Sequence, residues 1–555
     1  MDSGLLKNST IQAGQFMSAI RENTTSLQEG NKAVFDSAKT TEFISQISNR
    51  NNTGVKLPEK LGVLFDEIQP HEQIRVIRAF LDGANEYQAR NGAPVPADVV
   101  EQAIHLAYST SKYVKNKYYD DSSTNHHDPL SLQTNRTVVS ILAMMSTGIP
   151  YAHFLPADIG SNEARLAIMT HRTGLKTGEY DAKALLDGSY SGGRYVSSAR
   201  VHTVKGAGNM TGKVTAIQTS ADTCDQAAPA VKFLRGRALV YVNGVPAGRE
   251  IAGSTTGAAS VAGSVNIAGT DYAITGTFNP DTGEFNLSSN PTLPTTVKVS
   301  VESFIDFETQ QELVPTIISE VNTYSLFANP WRVLSRQTID SRTQMSNELG
   351  LDPYGEGILA IQAQFENERH YDVLAKAIRL ADNNSTTYAF DYANRKGALI
   401  RSEMWQDFSS TLSELSQQMA VDTMNHGITH LVVGKLLASE LMGLNRDIFE
   451  PSGISERPCI YRLGRFMGQY EVYYSPKVVT ETPTSAKMLC IGKGTDVTRN
   501  PFVLGDAVAP TTIPLSVNAD LNTGVGFYAR NFTCVNPHAP SARGCAVIDI
   551  TGIRA

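Results

Sequence analysis

The chain has 555 residues, 41% of them hydrophobic and 19% charged, which is the composition of an ordinary globular protein with room for roughly two to four domains. A net charge of −7, with no short run rich in Lys or Arg, argues against a protein whose main partner is nucleic acid. Five cysteines without a Cys-x-x-Cys pair argue against a disulfide framework and a standard zinc site, and favour a reducing compartment. The first residues carry no apolar signal-peptide core, and the most apolar stretch, Val138 to Met145, is too short to span a bilayer. The expectation is a protein made and used in a cytoplasm.

In chain order, residues 1–55 are rich in Ser, Thr, Asn and Gln, with scattered apolar positions such as Phe16, Ile20 and Phe43. They read as an extended or partly helical arm without a core of its own. Residues 56–118 read as helices. Pro70 opens one, with Ile74, Ile77 and Phe80 at helical spacing, and Pro96 stands just ahead of another containing Val100, Ile104 and Ala107. Up to about 200 the pattern is mixed, with loops at 120–125 and 188–193.

From 201 to 325 the composition turns to Gly, Thr, Ser and Pro with alternating strands. Asn279-Pro280-Asp281-Thr282-Gly283 has the make-up of a hairpin turn. Beyond it, Asp352 and Pro353 are a good cap and first residue for a helix of roughly 25 residues, long against a mean near 11–12. Ile358, Ile361, Phe365, Leu374 and Ile378 form its apolar stripe, and Glu366, Glu368, Arg369, Asp372 and Lys376 are expected on the wet side. Trp405, Phe408, Leu412, Leu415 and Met419 follow 3-4 spacing on a second amphipathic helix. His430 to Gly434 reads as a buried strand, with a short helix after it, and Arg462 to Tyr474 as strand, turn and strand.

The closing third carries Ile491-Gly492-Lys493-Gly494, then Gly505-Asp506-Ala507-Val508-Ala509-Pro510-Thr511-Thr512-Ile513-Pro514-Leu515, then Gly524-Val525-Gly526-Phe527-Tyr528-Ala529-Arg530, then Val535-Asn536-Pro537. This order resembles the "GxKG … DAG … PYxPL … IGFxTRY … NP" succession near the C-terminus of major capsid proteins of contractile-tailed, T-even-like bacteriophages. Upstream, Ser346 to Asp352 and the long helix with Gln364 to Arg369 are similar to that family's approach to its spine helix. Thr429 to Gly434 and Gly464 to Pro476 look like its axial domain. The resemblance covers about 320–555, a little under half the chain. It departs from the family in the Asp506 to Leu515 segment, which lacks the aromatic-rich run, and at Tyr528-Ala529-Arg530.

What the resemblance implies is an α+β fold of the Hong Kong 97 capsid type, with a long spine helix, axial and peripheral domains, an extended β-loop and an N-terminal arm, plus a β-rich insertion. The corresponding divisions are an arm over 1–55, a helical and mixed region over 56–200, the β-rich loop or insertion over 201–325, a peripheral domain with the spine helix over 326–385, an axial domain over 386–480 and closing strands over 481–555. The implied role is a virion shell protein, not an enzyme. It would self-assemble into pentamers and hexamers of an icosahedral head around double-stranded DNA contacted non-specifically. It would work with scaffold, portal and possibly decoration proteins, and with no cofactor, metal or membrane. Independently of the family, a tiling subunit needs a stiff element that sets its width and segments completed by neighbours. The alternatives are a surface adhesin or binding protein with an immunoglobulin-like module near 200–310, another phage structural protein such as a tail component, or an intracellular enzyme.

Candidate catalytic and ligand sites read as structural. His126-His127-Asp128 lies in a polar stretch and supplies too few convergent ligands for a metal. Gly206, Gly208 and Gly212 before Lys213 fit neither phosphate-loop spacing, and Val214 stands where Ser or Thr would hold magnesium. Gly492-Lys493-Gly494 has the donors for an anion but reads as a turn between strands. The Glu348/Asp352 and Glu366/Glu368 pairs read as solvated or inter-subunit charges. The Trp405–Met419 stripe spans two heptads and reads as domain core.

Overall fold

The computed structural model describes residues 3–28, 32–48, 57–114, 129–157, 162–251, 255–350, 352–517 and 522–554. The His126-His127-Asp128 cluster and the 120–125 loop lie outside them. The chain divides into two compact units, a body built from Met1–Ile168 and Thr323–Ala555 and an insertion, Met169–Asn322.

The body begins with helices α1 (Ser3–Thr24), α2 (Ser37–Ser48), α3 (Glu59–Glu67), α4 (Pro70–Asn91), α5 (Ala97–Val114) and α6 (Pro129–Ser146). The prolines act as expected. Pro70 is the first residue of α4, and α5 starts directly behind Pro96. Gly92, at φ 61°, ends α4 in the left-handed conformation, its N–H donating to the Gln88 carbonyl at 2.7 Å.

The first 55 residues differ from the expected coreless arm. Ala13, Phe16, Met17 and Ile20 recur at i, i+3, i+4 and i+7 along α1 and are buried, as are Phe43 and Ile44 of α2. The Phe16 ring meets Phe80 of α4 edge-on at 5.8 Å. Polar composition hid a helical stripe that the body's largest core absorbs.

Next come α7 (Ile339–Asn347) and the long helix α8 (Pro353–Ala381), 29 residues. The Asp352 carboxylate caps α8, accepting from the N–H groups of Tyr354 and Gly355, each at 3.1 Å. An Asp352→Ala chain should lose about 1 kcal/mol of stability, readable as a lowered urea midpoint, and an unchanged midpoint would show the cap to be idle. The buried side of α8 contains Gly357, Ile361, Phe365, Arg369, Val373, Ala377 and Ala381, every fourth residue. Arg369, expected on the wet side, therefore lies in the buried row.

Two sheets complete the body. In the first, the order is Asn329–Gln337, Thr523–Val535, Phe502–Leu515, His153–Phe154, antiparallel except for the last pair. The strand Asn329–Gln337 forms one edge. The second sheet has seven strands of mixed direction, with the fully buried His430–Val433 between Ala486–Ile491 and Tyr470–Tyr474. Helix Arg401–Thr423 packs its expected Trp405–Met419 stripe into this sheet's core beside Leu431, Val433 and Phe466.

The insertion contains eight strands in one antiparallel sheet, in the order Ala199–Lys205, Lys298–Phe304, Leu239–Val242, Val245–Glu250, Ala259–Ile267, Thr270–Phe278, Glu284–Asn290, Asn209–Lys213. The expected turn joins two of them, with Gly283 at φ 77° and its N–H donating to the Asn279 carbonyl at 2.7 Å. Val240, Ile274, Phe278, Leu287 and Val299 lie in a core confined to this unit. These strands bury their own apolar side within the unit.

Candidate assembly surface and the polar joints behind it

Two buried polar joints tie α5 to the closing motifs. Asp98 and Gln102 stand one turn apart on α5. The Asp98 carboxylate accepts from Phe154 N–H at 3.1 Å and lies 3.2 Å from His153 Nδ1, while His153 Nε2 lies 2.7 Å from the Gly494 carbonyl. Burial alone would raise the Asp98 carboxyl, but the Lys493 charge and the hydrogen bonds from His153 and Phe154 outweigh it and hold the group well below the carboxylate range. Gln102 donates to the Asp506 carbonyl at 3.1 Å. The Asp506 carboxylate in turn pairs with Arg369 at 3.1 Å, both side chains only 2% exposed. Burial pushes the Asp506 carboxyl up against the pull of the Arg369 guanidinium, which also stacks over Phe154 at 5.4 Å.

The Gly492-Lys493-Gly494 segment is a turn whose backbone donors are consumed internally. Gly492 N–H donates to the Gly544 carbonyl at 2.8 Å, Lys493 N–H to Thr429 Oγ1 at 2.8 Å and Gly494 N–H to Asn500 Oδ1 at 2.9 Å. Its backbone N–H groups fix the joint and are not free to cradle an anion. Gly206 donates to the Val297 carbonyl at 2.7 Å, Gly212 lies inside a strand, and Lys213 Nζ donates to the Ala228 carbonyl at 3.0 Å, so these residues make no phosphate cradle. Glu366 pairs with Arg90 of α4 at 2.5 Å.

Between α8 and the edge strand runs an open groove of about 740 Å³ lined by Trp331, Phe365, Glu368, Asp372 and Lys376 among others. Lys376 Nζ is engaged by Asp372 at 2.5 Å and by the Thr533 carbonyl at 2.6 Å. The groove gathers no general acid paired with a base. Among the described residues, no group of three or more His, Cys, Asp or Glu is placed to hold a metal, and no helix is long and apolar enough to cross a membrane. The five cysteines are free thiols.

What the body does expose is unfinished surface. α7 buries none of its nine residues. The strand leading into it is a sheet edge, with Val333 and Leu334 exposed, and Leu349, between the two helices, is 67% exposed. A helix this short is marginal in water unless something packs on it, and an open sheet edge invites another chain. Sequence reasoning read Glu348 and Asp352 as solvated or inter-subunit charges but missed the joints at Asp98, His153, Lys493 and Arg369. Their one signal was position, since Lys493 and Asp506 lie inside the closing motifs.

No protein-family model and no curated protein matches the sequence. Among solved structures, the chain is similar to the capsid of the jumbo bacteriophage PhiKZ, at 9% identity and a TM-score of 0.37 over 72% of this chain and 92% of that one. It is also similar to the SrpI encapsulin of Synechococcus elongatus PCC 7942, at 11% identity and a TM-score of 0.28 over 43% and 79% of the two chains. For the capsid of Myoviridae phage XM1 the values are 7%, 0.27, 60% and 95%. With TM-scores below 0.5 these are partial likenesses, and no residue correspondence is taken from them.

Proposed function

We propose that the chain is a major capsid protein, self-assembling into the icosahedral head of a tailed, contractile-tailed phage around double-stranded DNA. The observation that carries this reading is the uncovered stretch from the edge strand through α7, a segment whose apolar side chains need a protein neighbour. The ordered closing motifs support it. They build the core of the body, with Phe527 and Ala529 against α8 and Val503 and Ala507 in the cluster beside it. On this reading α8 is the spine helix of a Hong Kong 97-type subunit, the seven-stranded unit its axial domain, and the insertion a module on the shell. The role is structural and needs no cofactor. Scaffold, portal and decoration proteins are its expected partners, and the virion, assembled in the host cytoplasm, its place.

Electron microscopy with light scattering on the purified chain, alone and with the products of its neighbouring genes, tests the proposal. Closed shells, or rings of five and six, are expected. Extended tubes alone would favour a tail component. A monomer at every concentration would sink the reading.

A further inference from the structure

The closing sheet has two sides, and α8 covers only one. Trp331, Phe527 and Val525 face α8, where Phe365 meets Trp331 at 5.3 Å and Phe527 at 5.1 Å. Strand alternation sends the residues between them to the other side. There the pairing register sets Arg332 opposite Tyr528, Arg336 opposite Gly524, and Leu334 opposite Gly526, which is itself opposite Ile513. Gly524 and Gly526 are buried in the middle of this face, and a Cβ on Gly526 would touch Leu334 and Leu515. Leu334, 56% exposed, and Ile513, 42% exposed, stand on either side of it. Arg332 leans over the Tyr528 ring at 5.4 Å. Both arginines are exposed, and among the described residues neither forms an ion pair. The face is an apolar centre with a cationic margin, the usual anatomy of a protein interface.

The segment that follows the edge strand has the complementary chemistry. From 338 to 356 the charged residues are Asp340, Glu348, Asp352 and Glu356 against Arg342 alone, all exposed. Ile339, 49% exposed, and Leu349 supply apolar projections among these carboxylates. Within one chain the acidic corner and the arginine face make no ion pair with each other among the described residues.

We infer that the arginine-edged face of one copy receives the acidic α7 corner of the next copy, a head-to-tail contact. It rests on the assembly reading and gives that reading its contact. The two surfaces differ, so the contact is heterologous, and repetition closes it into a ring when the rotation allows. Desolvation of Leu334 and Ile513 needs an apolar partner, which Ile339 and Leu349 offer and a phosphodiester backbone does not.

The test uses the full chain in three forms: R332E/R336E, D340K/E348K, and all four changes together. All four positions are exposed, so each form should keep the wild-type melting temperature, checked by circular dichroism. Each double variant should raise the concentration needed for assembly by about tenfold or more, since like charges then face each other (about 1.4 kcal/mol per tenfold). The fourfold variant, with both signs reversed, should recover most of that loss. Assembly by R332E/R336E at the wild-type concentration with loss of DNA retention would assign the face to nucleic acid and overturn the contact. So would a fourfold variant as poor as the two doubles. A wild-type chain that never assembles overturns the assembly reading itself, and the contact with it.

Discussion

Replacing Arg369 with alanine is expected to cost about 3–5 kcal/mol of folding stability, the cost of removing one partner from a buried ion pair. The reason is the company Arg369 keeps. Its guanidinium is the cation next to Asp506, and it fills the space beside Phe154. Alanine would leave the Asp506 carboxylate buried with the Gln102 bond to its backbone still in place. Burial already pushes that carboxyl up, and without the arginine nothing beside it would pull it back down. Urea unfolding monitored by tryptophan fluorescence reads the loss. A methionine at the same position, which fills the volume without demanding a counter-charge, paired with an asparagine at 506, should recover a large part of it. A loss under about 1 kcal/mol in the alanine variant would mean the pair is not buried as described.

The second large effect is acid sensitivity. His430 is held down to about 3 by burial, with the Lys493 and Arg462 charges adding to it, and His370 is held down to about 4 by burial. Unfolded histidines titrate near 6.5. Between that value and the folded ones, the unfolded chain binds more protons than the folded chain. Stability therefore falls as the pH is lowered from about 6.5 toward 4, by up to about 1.4 kcal/mol per pH unit for each histidine. Asp98 acts in the same direction further down. Its depressed carboxyl stabilises the fold above the unfolded value of about 3.9, and that contribution disappears as the pH drops through and below it. Urea midpoints at pH 7, 6, 5 and 4 should decline steadily below 6.5. In a His430→Gln chain the decline between pH 6 and 4 should be shallower by close to one proton's worth. An identical slope in that variant would remove His430 from the account.

Much of the body was readable because capping and periodicity agree. Asp352-Pro353 announces α8, Pro70 and Pro96 announce α4 and α5, and the Trp405 stripe lies on the buried side of its helix. Arg369 escaped because residue type was given more weight than position. It stands four residues after Phe365 and four before Val373, inside a row that is otherwise apolar or small. The partly helical reading of the first 55 residues missed their burial for the opposite reason, since abundant Ser, Thr and Asn drew attention away from four apolar positions at helical spacing. The joints at Asp98 and Lys493 join residues hundreds of positions apart, and no local pattern reports such a partner. The uncovered face was legible only after strand register was known, because register decides which of Arg332 or Val333 looks outward.

Among the described residues, the edge strand Asn329–Gln337 finds its sheet neighbour in Thr523–Val535, close to two hundred positions later. On a ribosome, the acidic corner emerges well before the strand that completes the arginine face. In the proposed head-to-tail contact, growing chains on one message therefore lack a complete receiving face until Thr523–Val535 has been made. On that proposal the timing of synthesis guards against premature polymerisation, at the cost of slow, non-local folding.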